Sequence, residues 1–319
     1  MEHLNRRHED RGQLLLVAAI GIAVLLIVLA VLLNTAIYTG AIAADGATEH
    51  EERSAEAYID GVQRGVSGII DSTNNDSDGA TSEADLAAIL DEEVEDWSRV
   101  ASRYGAMDGV STSVSLEAVT YGTRITQENE TRHFTNASGA TEWTVVENVS
   151  HLREFRMNVT ADNLPVIQNE TCAEVDECFR TTFEDDGGSE WQLYLFTNES
   201  GDVTVEVITP TGSETCRSSS ENVSIDLVAG TVDGESCEPM DEFPGGETPY
   251  DITYANADNV SGTYELVVDS RHVSASDFEE DGSPQAIPVI DEVTVTVTYR
   301  SASLTYGTEL RVSPGEGDV

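Results

Sequence analysis

The residues best suited to chemistry are acidic and lie early in the chain. Asn74-Asn75-Asp76-Ser77-Asp78-Gly79, with Asp85 at the twelfth place, has the spacing of a calcium loop between two helices. Hard oxygen ligands from Asn74, Asp76 and Asp78 would surround the ion, Gly79 would permit the sharp turn, and Asp85 would close the shell. The fit is degraded, because Asn replaces the usual first Asp and Asp the usual bidentate Glu. A flexible acidic loop is the simpler reading, and no cofactor is expected. Catalytic signals are thin. Beyond His50, the histidines of the main part of the chain are His133, His151 and His272, each isolated in sequence. No GxSxG elbow, HExxH helix or phosphate-binding glycine loop occurs. Paired acids such as Asp185 and Asp186 read as solvated surface. The expectation is therefore a protein that is not an enzyme; an anchored hydrolase would need His151 or His272 beside a nucleophile in a cleft.

Four cysteines, Cys172, Cys178, Cys216 and Cys237, form an even set that suits a disulfide framework in an oxidising exterior. Three pairings are open, and proximity favours Cys172 with Cys178 and Cys216 with Cys237. A zinc site is disfavoured because no close CxxC-like pairs occur and no His is adjacent. Nine of the 14 asparagines sit in Asn-x-Ser/Thr: Asn75, Asn129, Asn136, Asn148, Asn158, Asn169, Asn198, Asn222 and Asn259. Chance would leave about three, so the excess points to N-glycosylation at mainly surface positions.

Charge narrows the class further. The 319 residues carry 60 acidic side chains against 16 basic ones, a balance of −44, and every basic residue is Arg. At molar salt the Debye length falls to about 3 Å, so a carboxylate coat of this density stays hydrated without repelling itself apart. The pattern is that of a halophile. Nucleic acid is excluded as a partner, since its recognition relies on basic phosphate contacts. Disorder is set aside because 39% of residues are apolar and are patterned in runs.

Those apolar residues define the elements. Gly12 to Ala44 holds no charge, and Gln13–Leu33 is almost wholly apolar, 21 residues that span about 31 Å as a helix. Arg6, Arg7 and Arg11 precede it, so the N-terminus is expected in the cytoplasm and the remainder outside, in a single-pass cell-membrane protein contacting lipid through this helix. Ala41-Ile42-Ala43 before Ala44 matches a secretory cleavage pattern, but the apolar run exceeds the usual ~7 to 15 residues of such signals. Two helices are expected at 48–70 and 81–103. The first has an apolar stripe of Ala55, Ile59, Val62, Val66 and Ile69; the second has Leu86, Ile89, Leu90, Val94 and Trp97 behind a Thr81 or Ser82 cap. From Val110 the period changes to two, with strand-like runs at 141–146, 152–159, 191–196, 203–208, 223–232, 250–255, 263–269, 293–298 and 303–312. The gaps at 198–202 and 256–262 read as hairpin turns.

Arg11-Gly12-Gln13 followed by Leu14-Leu15-Leu16-Val17 resembles the archaeal type IV pilin signal. The whole layout, ending in Leu310-Arg311-Val312-Ser313-Pro314-Gly315-Glu316, is similar to uncharacterised pilin-like surface proteins of haloarchaea. The resemblance implies cleavage between Gly12 and Gln13, and partners among other pilin-like subunits or the cell wall. Many pilins carry Glu at the fifth mature position, where this chain has Val17. The expected architecture is α+β: a leader at 1–12, a transmembrane helix at 13–44, a helical stalk at 45–105, a β-rich region at 106–188 and a sandwich-like antiparallel domain at 189–319. Function is expected to be that of a membrane-anchored, acidic surface protein, a structural or interaction subunit. The alternative is an anchored ligand-binding or Ca²⁺-stabilised module.

Overall fold

The computed structural model describes residues 53–75, 82–168, 171, 172, 175, 177–242, 248–280 and 282–315. Two α-helices come first, α1 over residues 53–75 and α2 over Glu83–Met107. Then follow β1 (Ser111–Gln127), β2 (Trp143–Val149), β3 (Leu152–Thr160), β4 (Phe179–Asp185), β5 (Glu190–Thr197), β6 (Val203–Thr209) and β7 (Gly212–Ser218). The chain continues through β8 (Asn222–Asp226), β9 (Thr231–Val232), β10 (Glu235–Ser236), β11 (Tyr250–Ala255), β12 (Gly262–Val268), β13 (Gln285–Arg300) and β14 (Thr305–Val312).

The strands make two sheets, ordered β10-β9-β8-β3-β12-β1-β13-β14 and β2-β11-β4-β5-β6-β7. The chain divides into two compact units. Among described residues the smaller comprises 53–62, 101–113 and 297–308, and the larger comprises the rest.

Within the larger unit the sheets enclose one apolar core. Phe155, Met157 and Val159 of β3 and Tyr264, Leu266 and Val268 of β12 supply one side. Val145, Phe179, Phe183, Leu193, Val205 and Ile252 supply the other. Period-two alternation is what sends these residues inward together. Phe134, Trp143, Phe179, Tyr254 and Tyr264 meet edge to face, with Phe134 and Tyr264 ring centres 4.8 Å apart. β5 is buried on both faces: Tyr194 and Phe196 point into a second cluster with Ile167 and the Cys172–Cys178 bridge.

α2 begins at Ser82, an N-cap whose hydroxyl accepts the Asp85 amide at 3.3 Å and donates to the Asp85 carboxylate at 2.6 Å. Leu86, Leu90, Val94 and Ser98, four residues apart, form its buried stripe. Trp97 lies against α1 where Gly65 leaves room; a Cβ there would sit 2.6 Å from the indole. Hydrogen bonds then tie the helices to the large sheet. Asn74 grips the backbone of Ile290 in β13, the Val114 amide of β1 donates to Ser98 at 2.9 Å, and Tyr121 of β1 donates to the Glu83 carbonyl at 3.1 Å.

In the smaller unit α2 ends on Gly109 at φ +76°, with Val110 N–H donating to Gly105 and Gly109 N–H to Ala106, the paired bonds of a Schellman stop. The Tyr58 and Tyr299 rings stand 6.0 Å apart. The β13–β14 turn closes through Ser301 N–H to the Leu304 carbonyl at 2.8 Å.

The structure corrects the expected fold class. The described residues are mainly antiparallel sheet with two α-helices, not a helical stalk carrying a β domain behind a transmembrane helix. Among them no helix is long and apolar enough to cross a membrane, and residues 13–44 lie outside the described residues. The stalk expectation fails for a physical reason: most of the apolar stripe of each helix is buried, with Val66, Ile70, Leu86 and Leu90 fully shielded, while Ile89, expected in the stripe, is exposed. A second correction concerns residues 256–262. They join β11 in the six-stranded sheet to β12 in the eight-stranded one, a crossing and not a hairpin. Gly262, at φ +145°, begins β12 so close to β3 that a Cβ would fall 1.9 Å from the Asn158 carbonyl oxygen. The 198–202 gap does join a hairpin, β5 with β6. Residues 186–189 form the turn between β4 and β5, so the expected boundary near 188 falls inside one sheet.

Candidate functional site

The face of the large sheet opposite the sandwich core carries an alternating lattice of charge. Register sets Asp226 of β8 opposite Arg156 of β3, Arg156 opposite Glu265 of β12, and Glu265 opposite Thr126 of β1. In the adjoining row Glu154 faces Val267 and Val267 faces Arg124. Opposite charges placed across strands in this way stabilise each other. Arg156 Nε donates to Asp226 Oδ2 at 3.0 Å, and its other arm pairs with Glu154. Arg124 Nε lies 3.2 Å from Glu265 Oε1, while its two terminal nitrogens donate to the Asn74 carbonyl at 2.8 Å and to Asn75 Oδ1 at 3.2 Å. One guanidinium therefore clamps the last described residues of α1 to the sheet. Burial pushes the Glu154 carboxyl up, the nearby Glu265 charge adds to this, and Arg156 and Arg124 oppose it.

Between these side chains runs a groove of about 450 Å³, lined also by Asn158, Thr263 and Gln285. Amides, hydroxyls, guanidinium and carboxylate make up its walls. Such a surface offers many hydrogen-bond donors and acceptors. Sequence reasoning singled out Asn74, Asn75 and Asn158 among the lining residues for other roles, and none of the charged ones. Arg153 and Arg156 in one nine-residue strand, in a chain with so few arginines, was the available signal.

The structure describes two of the four residues expected to hold calcium, Asn74 and Asp85. Asn74 is buried, and its amide is spent on the backbone: Nδ2 donates to the Ile290 carbonyl at 2.9 Å and Oδ1 accepts the Ile290 amide at 2.8 Å. Asp76 and Asp78 lie outside the described residues, and the Asp85 carboxylate accepts the Ser82 hydroxyl. Among the described residues no group of three or more His, Cys, Asp or Glu is placed to hold a metal.

Cys172 is joined to Cys178 and Cys216 to Cys237, with Cα separations of 6.0 and 5.9 Å. The first loop is tied to β6 through Glu206, a buried carboxylate accepting the Thr171 hydroxyl at 2.7 Å and the Cys172 amide at 2.6 Å. The second bridge links β7, at the edge of the small sheet, to the segment that follows β10 at the edge of the large one.

Of the nine acceptor asparagines, Asn75, Asn129, Asn148, Asn158 and Asn222 are exposed and Asn259 is half-buried, its amide donating to the Glu177 carbonyl at 2.7 Å. Asn136 and Asn198 are buried, which corrects the expectation of a surface position for those two. Each shapes a turn, Asn136 Oδ1 accepting the Ala140 amide and Asn198 Oδ1 the amides of Ser200 and Asp202. Asn169, Gly12 and Gln13 lie outside the described residues.

Among the described residues, His133, His151 and His272 do not assemble a triad. His151 Nδ1 is 3.2 Å from Asp269 Oδ2 at an exposed site. His272 Nδ1 is 3.4 Å from Ser270 Oγ, but that hydroxyl is buried and donates to the Glu147 carbonyl. His133 Nδ1 lies 3.1 Å from the Val260 carbonyl oxygen.

The described part is thus a helix-backed, disulfide-stapled antiparallel sandwich with a polar groove on one sheet. Residues 8–156 are similar to a family of unknown function, DUF7261, a stretch that includes α1, α2, β1, β2 and half of β3. No curated protein and no solved structure matches the chain.

Proposed function

We propose that the protein is a membrane-attached, acidic extracellular surface protein, a pilin-like structural or interaction subunit of a halophilic archaeon that works by contact and not by catalysis. The observation that supports this best is the pairing of two closed disulfides with five exposed Asn-x-Ser/Thr acceptors on an acid-coated sandwich. Disulfides persist in oxidising compartments, and glycans require exposed loops or edges. The apolar run from Gln13 to Leu33 supports attachment to the cell membrane, with the N-terminal arginines inside. Mass spectrometry of the N-terminal peptide from native membranes tests it. A chain beginning at Gln13 supports the pilin-like reading and one beginning at Met1 a plain anchor; one beginning at Ala44 means a released protein and overturns attachment.

A second reading, a ligand-binding module that does not assemble, is favoured by the groove beside Arg124 and Arg156. Titration of the purified full chain with oligosaccharides from the native cell wall distinguishes it: saturable binding that Arg156→Ala abolishes supports it, and filament formation without such binding opposes it.

A further inference from the structure

The charge of this protein is not spread evenly. Among described residues of the smaller unit, three arginines, Arg53, Arg103 and Arg300, stand against three carboxylates, Glu56, Asp60 and Asp108. Counted over its whole sequence, that unit holds ten acids and six arginines, a net of −4 in a chain of formal charge −44. The larger unit, counted over its whole sequence, holds fifty acids and ten arginines. A halophilic coat exists to hold water and salt at the surface, so a region in which arginines nearly match the acids points to a different neighbour.

The same region exposes apolar side chains. Met107 is 82% exposed and Tyr104, one turn earlier on α2, 69%; Tyr306 at the start of β14 is 40% exposed. Large apolar or amphipathic residues left open beside Arg, with a phenol able to stay hydrated, have the composition of an interfacial belt where ring and thioether enter the acyl boundary and hydroxyl and guanidinium remain among headgroups. α1 enters the described structure here at Arg53, so this unit directly follows the segment that carries the apolar run.

We infer that the surface formed by Tyr104, Met107 and Tyr306, with Arg103 and Arg300, rests on the headgroup layer of an anionic lipid membrane. The inference builds on the membrane attachment proposed above and names the second contact with lipid that follows from it. Arg103 and Arg300 would meet lipid phosphates. A region carrying the acid density of the larger unit would instead be repelled by such a surface.

The test uses the full chain with single cysteines introduced for nitroxide labelling, Met107→Cys, Tyr306→Cys and, as a solvent-exposed reference at the β4–β5 turn, Asp186→Cys. Each is reconstituted into vesicles of phosphatidylglycerol and phosphatidylcholine at molar salt. Collision with oxygen and with a water-soluble nickel chelate is then read from power saturation. The expected result is an oxygen-to-nickel ratio several-fold higher at 107 and 306 than at 186. If the chain floats with the vesicles but all three labels match, membrane attachment stands and this inference is overturned. Labels shielded from both reagents and broadened by a second labelled copy would also overturn it, making the surface a contact between subunits. A chain that fails to float with the vesicles overturns both the attachment and the inference.

Discussion

Asn74 and Ile290 form a closed pair of hydrogen bonds, the side-chain amide of the helix residue donating to and accepting from the backbone of one strand residue at 2.9 and 2.8 Å. The pairing fixes α1 against β13 and occupies both ends of the Asn74 side-chain amide. Asn74→Ala leaves a buried N–H and a buried C=O without this partner, a loss of about 2 to 6 kcal/mol at about 1 to 3 kcal/mol per unsatisfied group. Asn74→Asp, the substitution that would improve a calcium loop, keeps the acceptor but sets a carboxylate against the Ile290 carbonyl. Both variants are expected to unfold at lower urea than the parent, with calcium giving Asn74→Asp no rescue. A rise in midpoint on adding calcium would contradict the assignment.

Glycan occupancy should follow burial and not motif. Asn136 Nδ2 donates to Asp277 Oδ1 at 2.6 Å inside a closed turn, and Asn198 is equally committed to its own turn. Glycopeptide mass spectrometry is expected to find sugar among Asn75, Asn129, Asn148, Asn158 and Asn222 and none on Asn136 or Asn198.

Two carboxylates should titrate in opposite directions. Glu154 is raised above its ordinary 4.5 by burial and by Glu265, so folding favours its neutral form. Its contribution to stability is present below that ordinary value and is lost as pH rises through the folded one. Asp233 is also pushed up by burial, but hydrogen bonds from Ser218, the Ser224 amide and Ser220 outweigh this and hold it below its ordinary 3.8. Its stabilisation is present above that value and is lost as pH falls through the folded one. Carboxyl NMR titration reads both, and Glu265→Gln should move the Glu154 midpoint down. A Glu154 midpoint at the value of a free glutamate would refute the account.

The two disulfides should differ in worth. Cys216–Cys237 closes a separation of 21 residues and Cys172–Cys178 one of 6. Loop-closure entropy assigns about 3 kcal/mol to the longer and about 2 kcal/mol to the shorter. Paired Cys→Ala variants measured by urea unfolding in molar salt are expected to rank in that order; the reverse ranking would show that native-state contacts dominate over chain entropy.

Local periodicity carried far in this chain. The acidic coat, the two helical stripes, most strands and the 198–202 turn are all readable because each depends on neighbours within a few residues. β4 and β7 were not legible: β4 has residues buried on both faces, and β7, Gly212–Ser218, is a polar edge strand, so neither shows an inward-outward contrast. The 256–262 segment has the composition of a hairpin turn, yet which sheet each flanking strand joins is a long-range matter that composition does not encode.

The candidate groove is the clearest case. Arg124, Glu154, Arg156, Asp226 and Glu265 are scattered over more than a hundred residues of sequence and meet only because four strands pair in one register. A slip of one residue would turn each of these side chains to the opposite face. The sequence by itself determined the class of surface, the staples and the elements, since charge density, cysteine proximity and apolar period are properties of the chain. Only the tertiary structure decided that the helices fold back onto a sheet, that Asn74 pairs with the backbone of a strand, and which charges become neighbours. Those outcomes depend on pairing between distant segments, where the free energy of burial and register is decided.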